Sequence, residues 1–304
     1  MIPFDVVGFG ALNVDKLYKV NKLAKAEEES FIESYTETCG GSAANTIVGL
    51  ARLGSKTGFI GKIGCDQESK LILQDLCFEG VDTKNIIQST HGKSGLVLGF
   101  IDKKGERALY VDAGVNDTIT LEEVKHEYIS KTRFLHLSSF VGEQSFQTQK
   151  KILHLISKST KVSFDPGILY ANKTYRVLEP ILKKTYLLLP NKIELELLTG
   201  KANYQEGADF MIRQGIKIVA VKLGSDGSYV TDGNESYFVK PFNVNAIDTT
   251  GAGDAFDAGF ISGLLNEESL FDCAKIGNFV ASQKVMQLGA RAGLPYVKDL
   301  DFLD

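Results

Sequence analysis

No apolar run in this 304-residue chain approaches the roughly 18 residues that a membrane-spanning helix needs, so no membrane partner is expected. There is no basic stripe either: formal charge is −4, and acids and bases alternate in short runs such as Lys25 to Glu29. A nucleic-acid partner is therefore disfavoured, because a clustered basic face is its usual footprint. The four cysteines, Cys39, Cys65, Cys77 and Cys273, have no paired spacing, which excludes a zinc or disulfide framework and suits a reduced cytoplasm. The N-terminal stretch lacks the basic region of a signal peptide. No repeat or low-complexity linker marks a boundary, so residues 1–304 are expected to form one catalytic domain with an accessory element.

What is present is ordinary soluble-enzyme material, 43% hydrophobic and 24% charged. Continuous apolar, β-branched runs recur at 6–12, 57–64, 133–140, 161–167, 186–191 and 216–224. Helical spacing separates them, clearest at residues 43–53, where Ala44, Ile47, Val48 and Ala51 share a face. Such alternation predicts an α/β fold, a doubly wound and mostly parallel central sheet flanked by helices. Residues 16–38 and 92–113 break the rhythm with polar alternation, and "DKKGER" (Asp102 to Arg107) reads as a hairpin turn. They form either a small inserted β element or an extension of the main sheet; periodicity leaves both open.

Three glycine clusters carry the chemistry. "GFGALN" (Gly8 to Asn13) has Asn13 where a dinucleotide fingerprint needs its third glycine, which disfavours an NAD-dependent oxidoreductase. The lone Gly92-Lys93-Ser94 has Ile87 where a Walker loop begins with glycine. "CGGSAAN" (Cys39 to Asn45) opens the 43–53 helix, with Ser42 as the expected N-cap. Gly40 and Gly41 would let a ligand hydroxyl approach the backbone, and Asn45 offers it a donor and an acceptor. Asn13 and Asp15, after the first strand, could converge on the same point, giving a polyol site. In "DTTGAGDAF" (Asp248 to Phe256), a helix starting near Ala252 aims free amides and the positive dipole end at an anion. Asp254 there either complements the dipole or accepts a proton from a hydroxyl attacking a phosphoryl group.

At these residues the chain resembles the ribokinase-like carbohydrate kinases, the PfkB family. "GGSAAN" is similar to that family's N-terminal signature and "DTTGAGDAF" to its C-terminal one; "GKIGCD", "FDPG", "PNKIE", "VKLGSDGSY" and "LGARAGLP" agree in order. The resemblance implies an ATP-dependent kinase with Asp254 as general base and the amides of Gly251, Ala252 and Gly253 as anion hole. It places a sugar at Asn13, Asp15, Gly41 and Asn45. The nucleotide falls to Asn191, Lys222, Gly224, Gly227 and Asn278. Asn191 and Glu194 match a motif associated with Mg²⁺, held partly through water, and Asp248 and Thr250 lie where some relatives bind a monovalent cation such as K⁺. It also implies that the two aberrant segments are a small β-sheet lid, in several relatives a homodimer interface.

The acceptor is less legible. "DPGILYANKTY" supplies no arginine before Arg176, which argues against a keto-acid sugar such as 2-keto-3-deoxygluconate. A phosphosugar would call for basic residues, for which Lys16, Lys93 and Arg107 stand near the expected lid. A neutral furanose, free or as a nucleoside, is the leading class, and a non-catalytic sugar- or nucleotide-binding protein the remote alternative. The four histidines show no metal-ligand spacing, and His136 reads as a core residue. Tyr170 would either stack on substrate or pack; Cys39 is either thiol-reactive or simply buried.

Overall fold

A computed structural model describes residues 3–300. Its strands are β1 Phe4–Phe9, β2 Asn13–Val20, β3 Ile32–Gly40, β4 Thr57–Ile63, β5 Asp82–Gln88, β6 Gly95–Ile101, β7 Arg107–Asp112, β8 Thr132–Leu137, β9 Lys161–Phe164, β10 Thr185–Leu188, β11 Ile218–Lys222, β12 Ser228–Thr231 and β13 Ser236–Val239. The helices are α1 Ser42–Arg52, α2 Gln67–Phe78, α3 His126–Ser130, α4 Glu143–Ile152, α5 Gly167–Ala171, α6 Thr174–Leu182, α7 Lys192–Thr199, α8 Tyr204–Arg213, α9 Ala252–Leu265 and α10 Leu270–Val285. No helix among the described residues is long and apolar enough to cross a membrane.

Nine strands form one sheet in the order β13-β12-β11-β10-β9-β8-β1-β4-β5. Every pairing from β11 to β5 is parallel, and β12 and β13 add an antiparallel edge. The apolar runs have a plain cause. Val6, Phe59, Phe134, Leu187 and Ile218 enter one core, while their chain neighbours Val7, Ile60, Leu135, Leu188 and Val219 enter the other. A strand covered on both faces cannot alternate with polar residues. The first core is completed by Ile47 of α1, Phe260 of α9 and Val280 of α10; the second by Phe146, Leu178, Leu195 and Met211 of α4, α6, α7 and α8. Each such side chain contributes roughly 1.5–3 kcal/mol on burial.

Small residues set how closely α9 sits between its neighbours. A Cβ on Gly49 of α1 would lie 2.7 Å from the Ala258 Cβ, and one on Gly259 would lie 2.9 Å from the Gly277 Cα of α10. Both contacts forbid a larger residue.

The two aberrant segments pair with each other and not with the main sheet, in the order β3-β2-β6-β7. The expected inserted element is therefore present as a smaller separate sheet, with β2–β3 spanning 13–40 and β6–β7 spanning 95–112. "DKKGER" closes the hairpin, with Ile101 opposite Arg107. Opposed residues share a face. Tyr18, Tyr35 and Phe100 are opposed on the outer face, their ring centroids 5.7 and 5.3 Å apart. Asp15, Thr38, Val97 and Val111 are opposed on the inner one.

Candidate active site

Ligands of open α/β sheets settle beyond the carboxyl ends of the strands, where the strand order reverses. β1 occupies that position, between β8 and β4, and its exit leads through Gly10–Leu12 into β2. There the N-termini of α1 and α9 meet. Ser42 Oγ donates to Asp254 Oδ1 at 2.6 Å and Asn45 Nδ2 to Asp254 Oδ2 at 2.8 Å. Ser42 is thus not the N-cap of α1, as the sequence suggested. Gly41 holds that position at φ 108°, where a Cβ would stand 2.2 Å from the Ala11 carbonyl oxygen, so the Ser42 hydroxyl is free to hold the Asp254 carboxylate. Burial raises the Asp254 pKa, and Asp165 adds to this, against the hydrogen bonds from Ser42 and Asn45.

Gly251 caps α9 in the left-handed region at φ 77°. The Ala252 amide turns back onto the Thr249 carbonyl at 3.1 Å, so one of the three amides expected to form the anion hole is engaged within the turn. One helical turn below Asp254, Asp257 is fully buried beside Lys222, whose Nζ donates to Asp165 at 2.8 Å and to Asp257 at 3.1 Å. Burial alone would lower the Lys222 pKa, but Asp165 and Asp257 outweigh it and keep the ammonium charged. Asp257, raised by its burial, retains an Oδ2 with no hydrogen-bond partner among the described residues.

Asn191 and Glu194 form a reciprocal capping box on α7: Asn191 Oδ1 accepts the Glu194 amide at 2.9 Å, and a Glu194 carboxylate oxygen accepts the Asn191 amide at 2.8 Å. Glu194 is buried, and desolvation, then Asp165, push its pKa up to about 7. No group of three or more His, Cys, Asp or Glu side chains among the described residues could cage a metal alone. The donor chemistry nonetheless fits Mg²⁺: Glu194 is a buried carboxylate that feels the charges of Asp165, Lys222 and Asp254, and Mg²⁺ characteristically takes one or two carboxylates plus waters and phosphates.

Lys222, Gly224, Gly227, Ala252, Gly253 and Asn278 line a cavity of about 340 Å³ directly behind the Asp254 turn. Four of the five residues matched to a nucleotide, Lys222, Gly224, Gly227 and Asn278, are therefore brought together in a space of nucleoside size, whereas Asn191 stands outside the lining, bridged to Lys222. Gly227 is at φ 97°, and a Cβ there would meet the Val239 carbonyl oxygen at 2.2 Å. Asn278 fastens the same loop by donating to Val239 O at 3.0 Å and Lys240 O at 3.1 Å.

On the opposite side of Asp254 the four residues assigned to an acceptor converge as well. Asn13 Oδ1 accepts from Asn116 Nδ2 at 2.9 Å. Asp15 has an Oδ1 without a partner among the described residues, and burial pushes its pKa up to about 6, opposed by Arg291 and reinforced by Asp254. Arg291 was missed: buried, it donates to Asn45 Oδ1 at 2.8 Å and to Gly40 O at 3.3 Å, and pairs with Asp75. Of the basic residues considered for a phosphosugar, Lys16 is already paired with Glu68 at 2.9 Å and Glu37 at 3.3 Å. Arg107 reaches across from β7 to Thr250 Oγ1 at 3.3 Å. Tyr170 packs and does not stack on a ligand: it is fully buried, its hydroxyl donating to Gln149 at 2.9 Å. His136 is a core residue, beside Ser163 Oγ at 3.1 Å. Burial pushes the Cys39 thiol up to about 12, which leaves it inert.

The family model described as pfkB family carbohydrate kinase matches residues 4–296. An Archaeoglobus fulgidus protein described as an uncharacterized sugar kinase is 44% identical over 82% of this chain and 98% of its own length. The ATP-dependent ribose-1-phosphate kinase of Halopiger xanaduensis is 33% identical over 94% of each chain. Among solved structures, the ribokinase of Thermotoga maritima superposes with a TM-score of 0.89 at 25% identity, covering 99% of each chain.

Proposed function

We propose that this chain, which belongs to the pfkB family of carbohydrate kinases, transfers the γ-phosphoryl group of ATP to the hydroxymethyl oxygen of a ribofuranose-type sugar or nucleoside. The observation that carries the reading is the position of Asp254, between the acceptor-side residues and the cavity at Lys222 and Gly253, with both its oxygens aimed by Ser42 and Asn45. Asp254 takes the hydroxyl proton as the acceptor oxygen bonds to phosphorus and the bond to the ADP oxygen breaks. The amides of Gly251 and Gly253, with the positive end of α9, hold the charge on the transferring group. Glu194 would hold Mg²⁺ through water, and the ion supplies charge neutralisation for the donor phosphates. Lys222, tied to Asp165 and Asp257, keeps the floor of the site in register.

The smaller sheet serves as the lid of this one catalytic unit, with Asp15 and Arg107 on its inner face; closing it limits wasteful hydrolysis of the donor. Its outer face, where Tyr35 is 60% and Tyr110 62% exposed, suits pairing of two copies. The cytoplasm, rich in ATP and reducing enough for four free thiols, is the fitting compartment.

A second reading is favoured by Arg107. Its guanidinium donates to Thr250 Oγ1 and pairs with no carboxylate among the described residues, which suits a phosphate or carboxylate on the acceptor, as in the 33% identical ribose-1-phosphate kinase. Mg²⁺-dependent ADP release over ribose, ribonucleosides, ribose 1-phosphate and 2-keto-3-deoxygluconate tests both. Turnover of neutral acceptors supports the first; turnover confined to anionic ones supports the second. Ligand-induced thermal stabilisation without ADP formation from any acceptor would replace both with a binding protein.

A further inference from the structure

Lys284, in the last turn of α10, has no exposed surface, and it is among the largest fully buried side chains of the molecule. Its Nζ donates to the Asp248 carbonyl oxygen at 2.7 Å and to the Gln287 carbonyl oxygen at 3.3 Å, with Asp248 Oδ2 at 3.9 Å. A buried ammonium is costly unless oxygens replace its water, and two backbone carbonyls and a carboxylate do so here. The rest of the Asp248 carboxylate is engaged by donors: Oδ1 accepts the Thr250 amide at 2.9 Å and the Thr250 hydroxyl at 2.7 Å, and Oδ2 accepts the Gly289 amide at 2.8 Å. The amides of Ile247 and Asp248 are bonded to Val285 O at 2.7 and 3.1 Å. The segment stitched down in this way continues directly into the turn that carries Gly251 to Asp254.

Carbonyl and carboxylate oxygens from separate segments around one positive charge are what a monovalent cation takes as ligands. The resemblance placed such an ion at Asp248 and Thr250, but the residues present do not fit one. The Asp248 oxygens face the Lys284 ammonium or are held by N–H and O–H groups, and the Thr250 hydroxyl is spent on Asp248.

We propose that Lys284 is a built-in monovalent cation, a positioning residue that fixes the 248–253 turn and so makes phosphoryl transfer independent of K⁺. The proposal rests on the kinase reading, and its test is arranged to separate the two. In buffers whose only other cation is tetramethylammonium, wild-type turnover is expected to be the same with and without added K⁺ or NH₄⁺. Lys284→Ala, which vacates a space ringed by oxygens, is expected to lose at least about tenfold in turnover and to regain it saturably with NH₄⁺ or K⁺ but not with choline. Lys284→Met fills the space without charge, and is expected to lose turnover with no rescue. A thermal-shift series needs no acceptor: K⁺ or NH₄⁺ should stabilise Lys284→Ala and leave wild type and Lys284→Met unmoved. Several-fold activation of wild type by K⁺, full turnover by Lys284→Met, or no cation-specific shift in Lys284→Ala would overturn the proposal. If wild type turns over no acceptor, the kinase reading fails while the thermal series still decides the role of Lys284. If Lys284→Ala folds only when K⁺ or NH₄⁺ is present, that dependence itself supports the assignment.

Discussion

The nine-stranded sheet buries both faces of its central strands, whereas the four-stranded sheet leaves β3 and β7 largely open to solvent. Lys222 ends a strand of the first and Asp254 stands on α9, which packs into the same core, where helices at contact distance leave each side chain one place to go. Asp15 and Arg107 hang from the second, which is tied to the rest of the molecule by scattered contacts, among them Asn13 to Asn116, Lys16 to Glu68, Arg107 to Thr250, Arg291 to the Gly40 carbonyl oxygen, and Val14 packed into the first core. The difference separates two tasks. On the proposed function, groups that meet the transferring phosphoryl must not shift, while groups that meet the acceptor must part to admit it. Elements with few buried contacts open at the lowest cost, so the looser sheet is the one able to serve as a cover.

The comparison can be broken most directly at Asp254. Asp254→Asn is expected to lower turnover by about 10²–10⁴ while nucleotide binding, followed by titration calorimetry, stays near wild type. Retention of more than about a hundredth of the activity would remove the base from the rigid half. Next in size is Lys222→Met, which strands Asp165 and Asp257 as buried, unpaired acids. A loss of about 3–5 kcal/mol in urea unfolding is expected, and a loss under about 1 kcal/mol would mean that the rigid half is not held by this ion triad.

Asp15, in the looser half, should respond in the opposite direction. Its folded pKa of about 6 lies above the ordinary 3.8, so ionisation costs stability that is lost as pH rises between those values. Asp15→Asn is therefore expected to stabilise the protein at pH 7.5 by about 1–3 kcal/mol, and not at pH 3, while KM for the acceptor rises. An unchanged or lowered melting temperature at pH 7.5 would show that Asp15 is held by partners as firm as those of Asp254. The smallest effect is expected on the outer face. Tyr35→Ser with Tyr110→Ser should change monomer stability by less than about 0.5 kcal/mol while shifting a dimer to monomer in sedimentation; a dimer unmoved by both would place the seam elsewhere.

What could be read in the sequence divides along the same line. The main-sheet strands β1, β4, β8, β9, β10 and β11 were legible because burial on both faces writes continuous apolar runs, whereas β5, β12 and β13 toward its edges were not; α1 was legible because its apolar stripe repeats every three to four residues. The Gly251–Asp254 turn was legible because glycine, small residues and an acid at a helix start have few structural uses together. The Ser42 hydroxyl was misread as a cap, since nothing local announces that Gly41 would take that place at φ 108°. Arg291 and Lys284 were invisible for a different reason. Arg291 meets Asn45 across 246 positions and Lys284 meets Asp248 across 36, so each looks like an ordinary surface base until the chain is folded. Nothing in the sequence singles out Asp257 either, since its partner Lys222 lies 35 positions away. The small sheet announced its strands but not its placement, because polar alternation says that one face is wet without saying what lies under the other.

The glycine seams of α9, against Gly277 on one side and answered by Gly49 on the other, also bear on how the protein could be re-engineered. A helix wedged in this way offers a directed-evolution library almost no neutral positions, so randomising around Asp254 would mostly return misfolded clones. Libraries restricted to the inner positions of β2, β3, β6 and β7 would explore new alcohols while inheriting the transfer machinery untouched.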